Sequence, residues 1–282
     1  MRIALIYNPG MAPRRLARIA ALAGVLEARG HALSHHDSLT FDASRDCPAA
    51  DLLCIAGGDG SARLVIGNQT DPAALPPVAI YPVGTINLLA RELGYPADPV
   101  QFALRIEAGQ PLLHSPLVRL NGAPVLACAS VGIDAHTVAG VSEALKARVG
   151  RLAYGAALIS LLWRWPRTPL RIVANGQVFT AEAAFVLRGR FYAGPWTLDP
   201  AAHLAHPRLR LLALPRCRRR DLIALGLYAV TGSRRAHPSW RVVECDALEI
   251  TSAAPVPVQA DGDAAGHLPA TITLSPAGVR YV

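Results

Sequence analysis

The sequence has little lysine, no paired cysteines and no long apolar run. Lys146 is the only lysine among 282 residues, so the formal net charge of +8 comes from arginine. Hydrophobic residues make up 52% of the chain and charged residues 17%, which excludes a disordered protein and indicates packed domains. The excess of arginine predicts an anionic partner, which could be a nucleotide, a membrane surface or a nucleic acid.

The five cysteines form no CxxC pair, which argues against a disulfide framework and against a zinc site. We therefore expect buried or incidental thiols in a reducing compartment. The opening residues MRIALIYNPG have too short an apolar stretch for a secretion signal, so they predict a first strand and a cytosolic protein. The longest apolar helix candidate, residues 152–163, is 12 residues long and too short to span a bilayer.

The order of apolar runs predicts an α/β domain followed by an all-β domain. Up to about residue 110, short apolar runs alternate with amphipathic stretches, which is typical of βα units around a parallel sheet. From residue 114 the pattern has period two, with Asn-Gly hairpin signals at 121–122 and 175–176 and one helical insertion near 141–165. We predict a Rossmann-like domain at 1–113 and an antiparallel β-sandwich at 114–282, with the option that the last residues return to the first domain.

Three predicted strands of the first domain end in loops suited to phosphate. The loops are Asn8-Pro9-Gly10, Gly57-Gly58-Asp59-Gly60-Ser61 and Gly84-Thr85-Ile86-Asn87. Parallel strands place their carboxyl ends on one edge, where glycine backbones and helix N-termini can meet phosphate oxygens. No GxxxxGK motif is present, so an ordinary P-loop is excluded.

Asp59 is the informative member of these loops. A carboxylate beside phosphate is repelled unless a Mg²⁺ ion bridges them or a hydroxyl gives up its proton, which points to phosphoryl transfer. The alternative is a tight turn in which Asp59 or Ser61 is only the N-cap of the following helix.

The paired glycine motifs resemble those of the diacylglycerol kinase catalytic-domain family, which includes sphingosine kinases and bacterial lipid kinases. The matching residues are GGDGS at 57–61, for GGDGT, and PVGTINLLAREL at 82–93, for PxGTxNxxAR. Further matches are YNP at 7–9, SVGIDA at 130–135, GRLAYG at 150–155 and DGD at 261–263. The resemblance implies a nucleotide domain, a C-terminal β-sandwich, and ATP- and Mg²⁺-dependent phosphorylation of a lipid hydroxyl in the cleft between them.

The resemblance also implies the site residues. It makes Asp263 a candidate general base and Asp261 its catalytic partner, with Asp59 orienting the hydroxyl or the metal. From the residues alone, Asp261-Gly262-Asp263 is a hairpin turn. The implied nucleotide-binding residues are Asn8, Gly57, Gly58, Asp59, Gly60, Ser61, Gly84, Thr85 and Asn87.

This chain departs from the family pattern at several places. Asp263 stands where the family has Glu, Ser61 replaces Thr, and the opening loop lacks the family's Ser-Gly pair. Residues 189–212 lack a glycine triplet and a DDG-like turn, so we assign no metal ligand there.

A lipid substrate requires contact with a membrane surface. The aromatic and basic segment 163–167 and the arginines at 216 and 218–220 suit peripheral contact. Alternatives are an NAD kinase with a soluble substrate and a lipid- or nucleotide-binding protein without turnover. Nucleic-acid binding lacks a recognisable motif and is not expected, whereas a homodimer is possible.

Overall fold

The computed structural model describes residues 1–109, 112–139, 167–231 and 239–282. The predicted helical insertion at 141–165, the GRLAYG match and most of the 163–167 segment lie outside these residues. The chain forms two compact units, residues 1–117 with 276–282 and residues 118–275. The sequence predicts the boundary between the two domains between residues 113 and 114.

Unit 1 contains a parallel sheet with the strand order β2-β1-β3-β4. All residues of the central strands β3 and β4 are buried, as expected for parallel strands covered on both faces. The elements of unit 1 in chain order are β1 (Arg2–Tyr7), α1 (Pro13–Ala28), β2 (Ala32–Asp37), α2 (Ala43–Asp46), β3 (Leu52–Gly57), α3 (Asp59–Gly67), a 3₁₀ turn (Pro72–Ala74), β4 (Val78–Pro82), α4 (Leu88–Glu92) and α5 (Pro99–Glu107).

The turns of unit 1 follow from local sequence. The helix α4 is followed by Gly94 in a left-handed conformation (φ 71°), which is the usual conformation of a glycine that ends a helix. Asp98 caps α5 by accepting a hydrogen bond from the Gln101 N–H at 2.9 Å. Strand β5 (Leu113–Leu120) then leads out of unit 1.

Unit 2 is an antiparallel β-sandwich. One sheet has the order β14-β13-β10-β7-β16-β17, and the other contains β18-β15-β8-β9. Both contribute to one core; examples are Val186 and Leu211 from the first sheet and Ile172 and Ile250 from the second. The strands are β6 (Ala123–Val125), β7 (Cys128–Val131), β8 (Leu170–Ala174), β9 (Gln177–Ala181), β10 (Ala183–Leu187), β11 (Phe191–Tyr192), β12 (Trp196–Thr197), β13 (Leu209–Leu214), β14 (Arg241–Cys245), β15 (Ala247–Ser252), β16 (Pro257–Ala260), β17 (Asp263–His267) and β18 (Ala270–Tyr281).

The fold class predicted from the sequence is confirmed, and so are both hairpins. Asn121 and Gly122 have φ angles of 48° and 86°, and Asn175 and Gly176 have φ angles of 50° and 72°. Two positive φ angles in succession are the requirement of a type I′ turn, which Asn-Gly meets. The five cysteines are free and buried.

The prediction of a single helical interruption after residue 114 was wrong. The structure has α6 (Ile133–Ala139) and α7 (Arg219–Thr231) in unit 2. Helix α7 was missed because its polar residues do not recur at the spacing of a helix that is buried on one side only. Three large apolar side chains lie on its exposed side. In the part of the chain that the structure describes, no helix is both long and apolar enough to cross a membrane.

Candidate functional site

The three loops predicted to bind phosphate follow β1, β3 and β4 and lie at one edge of the unit 1 sheet. The register pairs Ile6 with Ile55 and Gly57 with Pro82, so these parallel strands end side by side. The prediction that all three loops share an edge is therefore confirmed.

The first loop is folded on itself by Asn8. Its side-chain Oδ1 accepts a hydrogen bond from the Gly10 N–H at 2.7 Å, and its carbonyl accepts one from the Met11 N–H at 3.2 Å. Helix α1 follows, and Arg15 on its first turn donates to the Thr85 hydroxyl at 3.3 Å. This contact links α1, the helix that follows the first loop, to the third loop.

The second and third loops pack backbone against backbone. A Cβ atom built on Gly84 would lie 2.5 Å from the Cα atom of Gly58, and one built on Gly57 would lie 2.4 Å from the Cβ atom of Ser61. Real side chains do not make such contacts, so only glycine fits at these positions. The two glycine motifs thus form one structural unit.

The Asp59 carboxylate holds the two motifs together. One oxygen accepts a hydrogen bond from the Leu88 N–H at 2.9 Å, and the other accepts one from the Leu89 N–H at 2.8 Å. Asp59 therefore caps α4, the helix that follows the third loop. Its negative charge faces the positive N-terminal end of that helix. The alternative of Asp59 or Ser61 as the cap of the helix that follows them was wrong, because the N-cap of α3 is Gly58 without a side-chain cap.

Asn87 shapes the start of α4. It adopts a left-handed conformation (φ 55°, ψ 54°), and its Nδ2 atom donates to the Gly84 carbonyl at 2.9 Å. Its Oδ1 atom is buried, and no donor among the described residues reaches it. Asn87 also lines a cavity of about 450 Å³ in unit 1, together with Arg18 and Arg91. The third loop therefore has open space and arginines next to it.

The predicted acidic pair lies in unit 2, at the turn between β16 and β17. Asp261 is buried and accepts hydrogen bonds from the backbone N–H groups of Leu126, Ala127 and Cys128 at 2.8 to 3.0 Å. These bonds indicate a structural role for Asp261 in holding the turn. Asp263 is half-buried at the start of β17, opposite Ala260.

A polar cluster beside this turn was not among the predicted site residues. The Ser130 hydroxyl donates to Asp134 Oδ2 at 2.6 Å, and Tyr192 and Gln259 also form hydrogen bonds with the Asp134 carboxyl. Burial raises the pKa of Asp134, although these hydrogen bonds act in the opposite direction. Gln259 also accepts from the Gly262 N–H at 2.9 Å, which connects the cluster to the turn. The SVGIDA match at 130–135 was the available sequence signal.

Comparison with protein-family models matches both units. Residues 2–113 match the diacylglycerol kinase catalytic domain, and residues 127–282 match the YegS C-terminal NAD kinase beta sandwich-like domain. The chain belongs to the diacylglycerol kinase catalytic-domain family. As a member of this family it is a lipid kinase, a phosphotransferase.

Curated relatives of this diacylglycerol kinase family member extend over almost its whole length. A diacylglycerol kinase from Staphylococcus carnosus (strain TM300) is 27% identical over 95% of this chain and 90% of its own length. A diacylglycerol kinase from Staphylococcus aureus (strain MRSA252) is 26% identical over 95% of this chain and 88% of its own length.

Solved structures share the fold of this family member. A diacylglycerol kinase from Bacillus anthracis (strain Sterne) has a TM-score of 0.71 at 19% identity and covers 100% of this chain and 96% of its own. An NAD kinase from Archaeoglobus fulgidus, solved in complex with ATP, has a TM-score of 0.55 at 14% identity and covers 100% of this chain and 93% of its own.

In this diacylglycerol kinase family member, a buried arginine organises the segment that departs from the family pattern. Arg188 is 1% exposed, and its guanidinium donates to the carbonyls of Leu204, His206 and Arg208 at 2.5, 3.0 and 3.4 Å. The turn at 204–208 is thus held by a cationic side chain. Among the described residues, no cluster of three or more His, Cys, Asp or Glu side chains could hold a metal ion.

Proposed function

We propose that this lipid kinase transfers the γ-phosphate of ATP to a hydroxyl of a diacylglycerol-like or sphingoid lipid at a membrane surface. The observation that carries the proposal is the contact between the two glycine motifs. Asp59 of the first motif stabilises this contact by accepting hydrogen bonds from Leu88 and Leu89 of the second. Backbone N–H groups in such loops can approach phosphate oxygens closely, since no Cβ atom stands in the way. The Thr85 hydroxyl and Arg15 supply a hydrogen-bond donor and a positive charge at the same edge.

In the proposed reaction, the lipid hydroxyl oxygen attacks the γ-phosphorus. The bond between this phosphorus and the β,γ-bridging oxygen breaks, and ADP leaves with that oxygen. The hydroxyl proton passes to the Asp263 carboxylate and then to solvent. Asp263 remains the candidate base because it is half-buried, whereas Asp261 is committed to three backbone N–H groups.

Magnesium is proposed as the companion of ATP. Mg²⁺ in kinases is held by substrate phosphates and only one or two carboxylates, so a protein-built cluster is not needed. The described residues fit poorly to a dedicated site, since the Asp59 oxygens already accept two helix N–H groups. We therefore assign Asp59 first to ordering the loops, and its contact with a metal or hydroxyl stays a prediction.

The test is a transfer assay with two glycine variants. Purified protein is incubated with γ-labelled ATP, Mg²⁺ and either diacylglycerol, sphingosine or NAD as acceptor. We expect label in one of the lipids. The Gly84→Ala variant should lose transfer by at least about tenfold, because its Cβ would overlap Gly58 and separate the two motifs.

Gly24→Ala is the matched control, since a Cβ there has no heavy atom within 4 Å. This variant should keep full activity. Label in NAD instead of lipid would identify an NAD kinase. ATP binding without transfer to any acceptor would identify a binding protein, and either result would overturn the proposal.

A further inference from the structure

Helix α7 of unit 2 exposes an apolar stripe. Ile223, Leu227 and Val230 are 60%, 62% and 66% exposed. Their spacing of i, i+4 and i+7 places them on one side of an α-helix. We call this side, residues 219, 220, 223, 227 and 230, the α7 face.

The opposite side of α7 is firmly packed. Tyr228 and Ala229 are buried, and the Tyr228 ring contacts Trp240 edge to face with 4.9 Å between ring centroids. The helix is therefore anchored to unit 2 by one side. The three exposed side chains are not part of that packing.

The N-terminal end of the α7 face is cationic. Arg219 and Arg220 are exposed, and at 100° per residue they flank the stripe one turn before Ile223. Asp221 lies on the other side of the helix. Its carboxylate accepts a hydrogen bond from the Arg218 N–H at 2.9 Å and lies 3.8 Å from Arg220 Nε, in a solvent-exposed ion pair. Residues 216–231 contain four arginines and one acidic residue.

We propose that the α7 face docks on an anionic lipid surface, with its aliphatic side chains among the headgroups and its arginines against lipid phosphates. An exposed helix face that combines arginines with aliphatic side chains can lie in the plane of a membrane interface. The charge decides between a lipid surface and a second copy of the chain. A second copy would bring the same net positive segment, residues 216–231, against itself, whereas an anionic lipid surface carries the opposite charge.

This proposal deepens the proposed function and rests on it for the choice of a lipid surface, because a kinase whose acceptor lies in a bilayer must reach that bilayer. It adds a specific surface that lies apart in sequence from the glycine loops and from Asp263. Its test contains no ATP, so docking and phosphoryl transfer are measured separately.

The first arm of the test measures co-sedimentation of the full chain with vesicles of phosphatidylcholine alone or mixed with phosphatidylglycerol. Wild-type protein should bind the mixed vesicles. The double variant Ile223→Gln, Leu227→Gln should bind them at least about tenfold more weakly, because it removes two aliphatic side chains that become buried among the lipid headgroups on docking. Leu39→Gln is the matched control, since Leu39 is 56% exposed, and its binding should not change.

The second arm tests the charge. The variant Arg219→Gln, Arg220→Gln should bind the mixed vesicles more weakly and with less dependence on salt. Arg171→Gln, at an exposed arginine on β8, should behave as wild type. All variants change exposed positions, so unchanged circular dichroism spectra and melting temperatures are expected and checked.

Several results would overturn docking. They are equal binding to neutral and anionic vesicles, no vesicle binding by the wild type, or full binding by the Ile223 and Leu227 variant. A dimer in sedimentation velocity that this variant abolishes would assign the face to a second copy. Vesicle binding through the α7 face without lipid phosphorylation would overturn the proposed function and leave docking intact.

Discussion

Asp261 and Asp263 are two residues apart, but they differ in how deeply their side chains are buried. Asp261 is buried and accepts three backbone hydrogen bonds from a segment more than 130 residues earlier in the chain. Asp263 is half-buried and begins a strand. The DGD motif thus contains one carboxylate that stabilises the turn and one, on Asp263, that we propose as the base.

Replacement of these two carboxylates should separate stability from activity. Asp261→Ala leaves three buried N–H groups without an acceptor and should lower the free energy of unfolding by about 3 kcal/mol. Asp263→Ala should lower it by less than about 1 kcal/mol while abolishing lipid phosphorylation. Urea denaturation and the transfer assay on the same preparations measure both effects.

Asp263→Glu is the companion variant of this pair. If reach limits the base, the added methylene should preserve or raise activity. Asp263→Ala with normal turnover would contradict the assignment of Asp263 as base, and Asp261→Ala with normal stability would contradict the structural role of Asp261.

Arg188 is a second residue whose role is set by carbonyl oxygens. Arg188→Met keeps most of the side-chain length but removes every donor to the carbonyls of Leu204, His206 and Arg208. We expect a loss of about 2 to 3 kcal/mol in unfolding free energy. Protease cleavage near residues 204–208 should become faster, which peptide mass spectrometry would detect.

Arg190→Met is the control for Arg188→Met, because Arg190 is exposed and its guanidinium lies over the Phe191 ring. It should cost less than about 1 kcal/mol. Equal destabilisation by the two variants would show that the carbonyl contacts of Arg188 carry no special weight.

At the scale of elements, α1 and α5 are joined at their ends through Glu107. The Glu107 carboxylate accepts from Arg29 Nε at 2.8 Å and lies 2.7 Å from His31 Nε2. The hydrogen bond from Arg29, supported by His31, lowers the pKa of Glu107 from 4.5 to about 2. Because the folded state favours the ionised carboxylate, Glu107 stabilises the fold above its ordinary pKa.

Because of this pKa shift, the difference in stability between the wild type and the Glu107→Gln variant should depend on pH. Above about pH 5 the variant should be less stable than the wild type by a constant amount. That difference should shrink as the pH falls from 4.5 to about 2, where the wild-type carboxylate becomes protonated in the folded state as well. Thermal melts of both proteins across this range measure the difference, and a gap that persists at pH 2 would contradict the linkage.

Elements with local signals could be predicted from the sequence. The Asn-Gly turns and the strands before the glycine loops each depend on residues a few positions apart. Asp59 was identified as important, but its contacts with Leu88 and Leu89 are 29 and 30 residues away. Tertiary contacts of this kind leave no local pattern, and the same holds for Asp261 and Arg188.

At the scale of the whole molecule, the chain leaves unit 1 and returns to it. Residues 276–282 belong to unit 1, although 118–275 form unit 2. Tyr281 pairs with Val78 at the edge of β4, and the Tyr95 hydroxyl donates to the Val282 carbonyl at 2.6 Å. Arg280 also donates to the Leu75 carbonyl at 2.7 Å.

Removal of residues 276–282 should therefore damage unit 1 rather than unit 2. We expect unit 1 to become sensitive to protease, because the edge of β4 and the pocket of the buried Tyr281 side chain are uncovered. Cleavage sites mapped by mass spectrometry should fall mainly before residue 118. Tyr95→Phe, which removes one hydrogen bond, should cost only about 1 kcal/mol, and cleavage confined to unit 2 in the truncated chain would contradict the prediction.

The return of the last strand has a consequence during protein synthesis. The strands that carry the glycine loops emerge from the ribosome early, but the sheet edge at β4 stays uncovered until Tyr281 and Val282 emerge. Unit 2 can complete its own sheets before that moment, since domains generally fold as units as the chain is made. A chain that ends before residue 276 would then combine the sheets of unit 2 with a unit 1 whose β4 edge is uncovered, and an unpaired strand edge is a template for pairing with another chain.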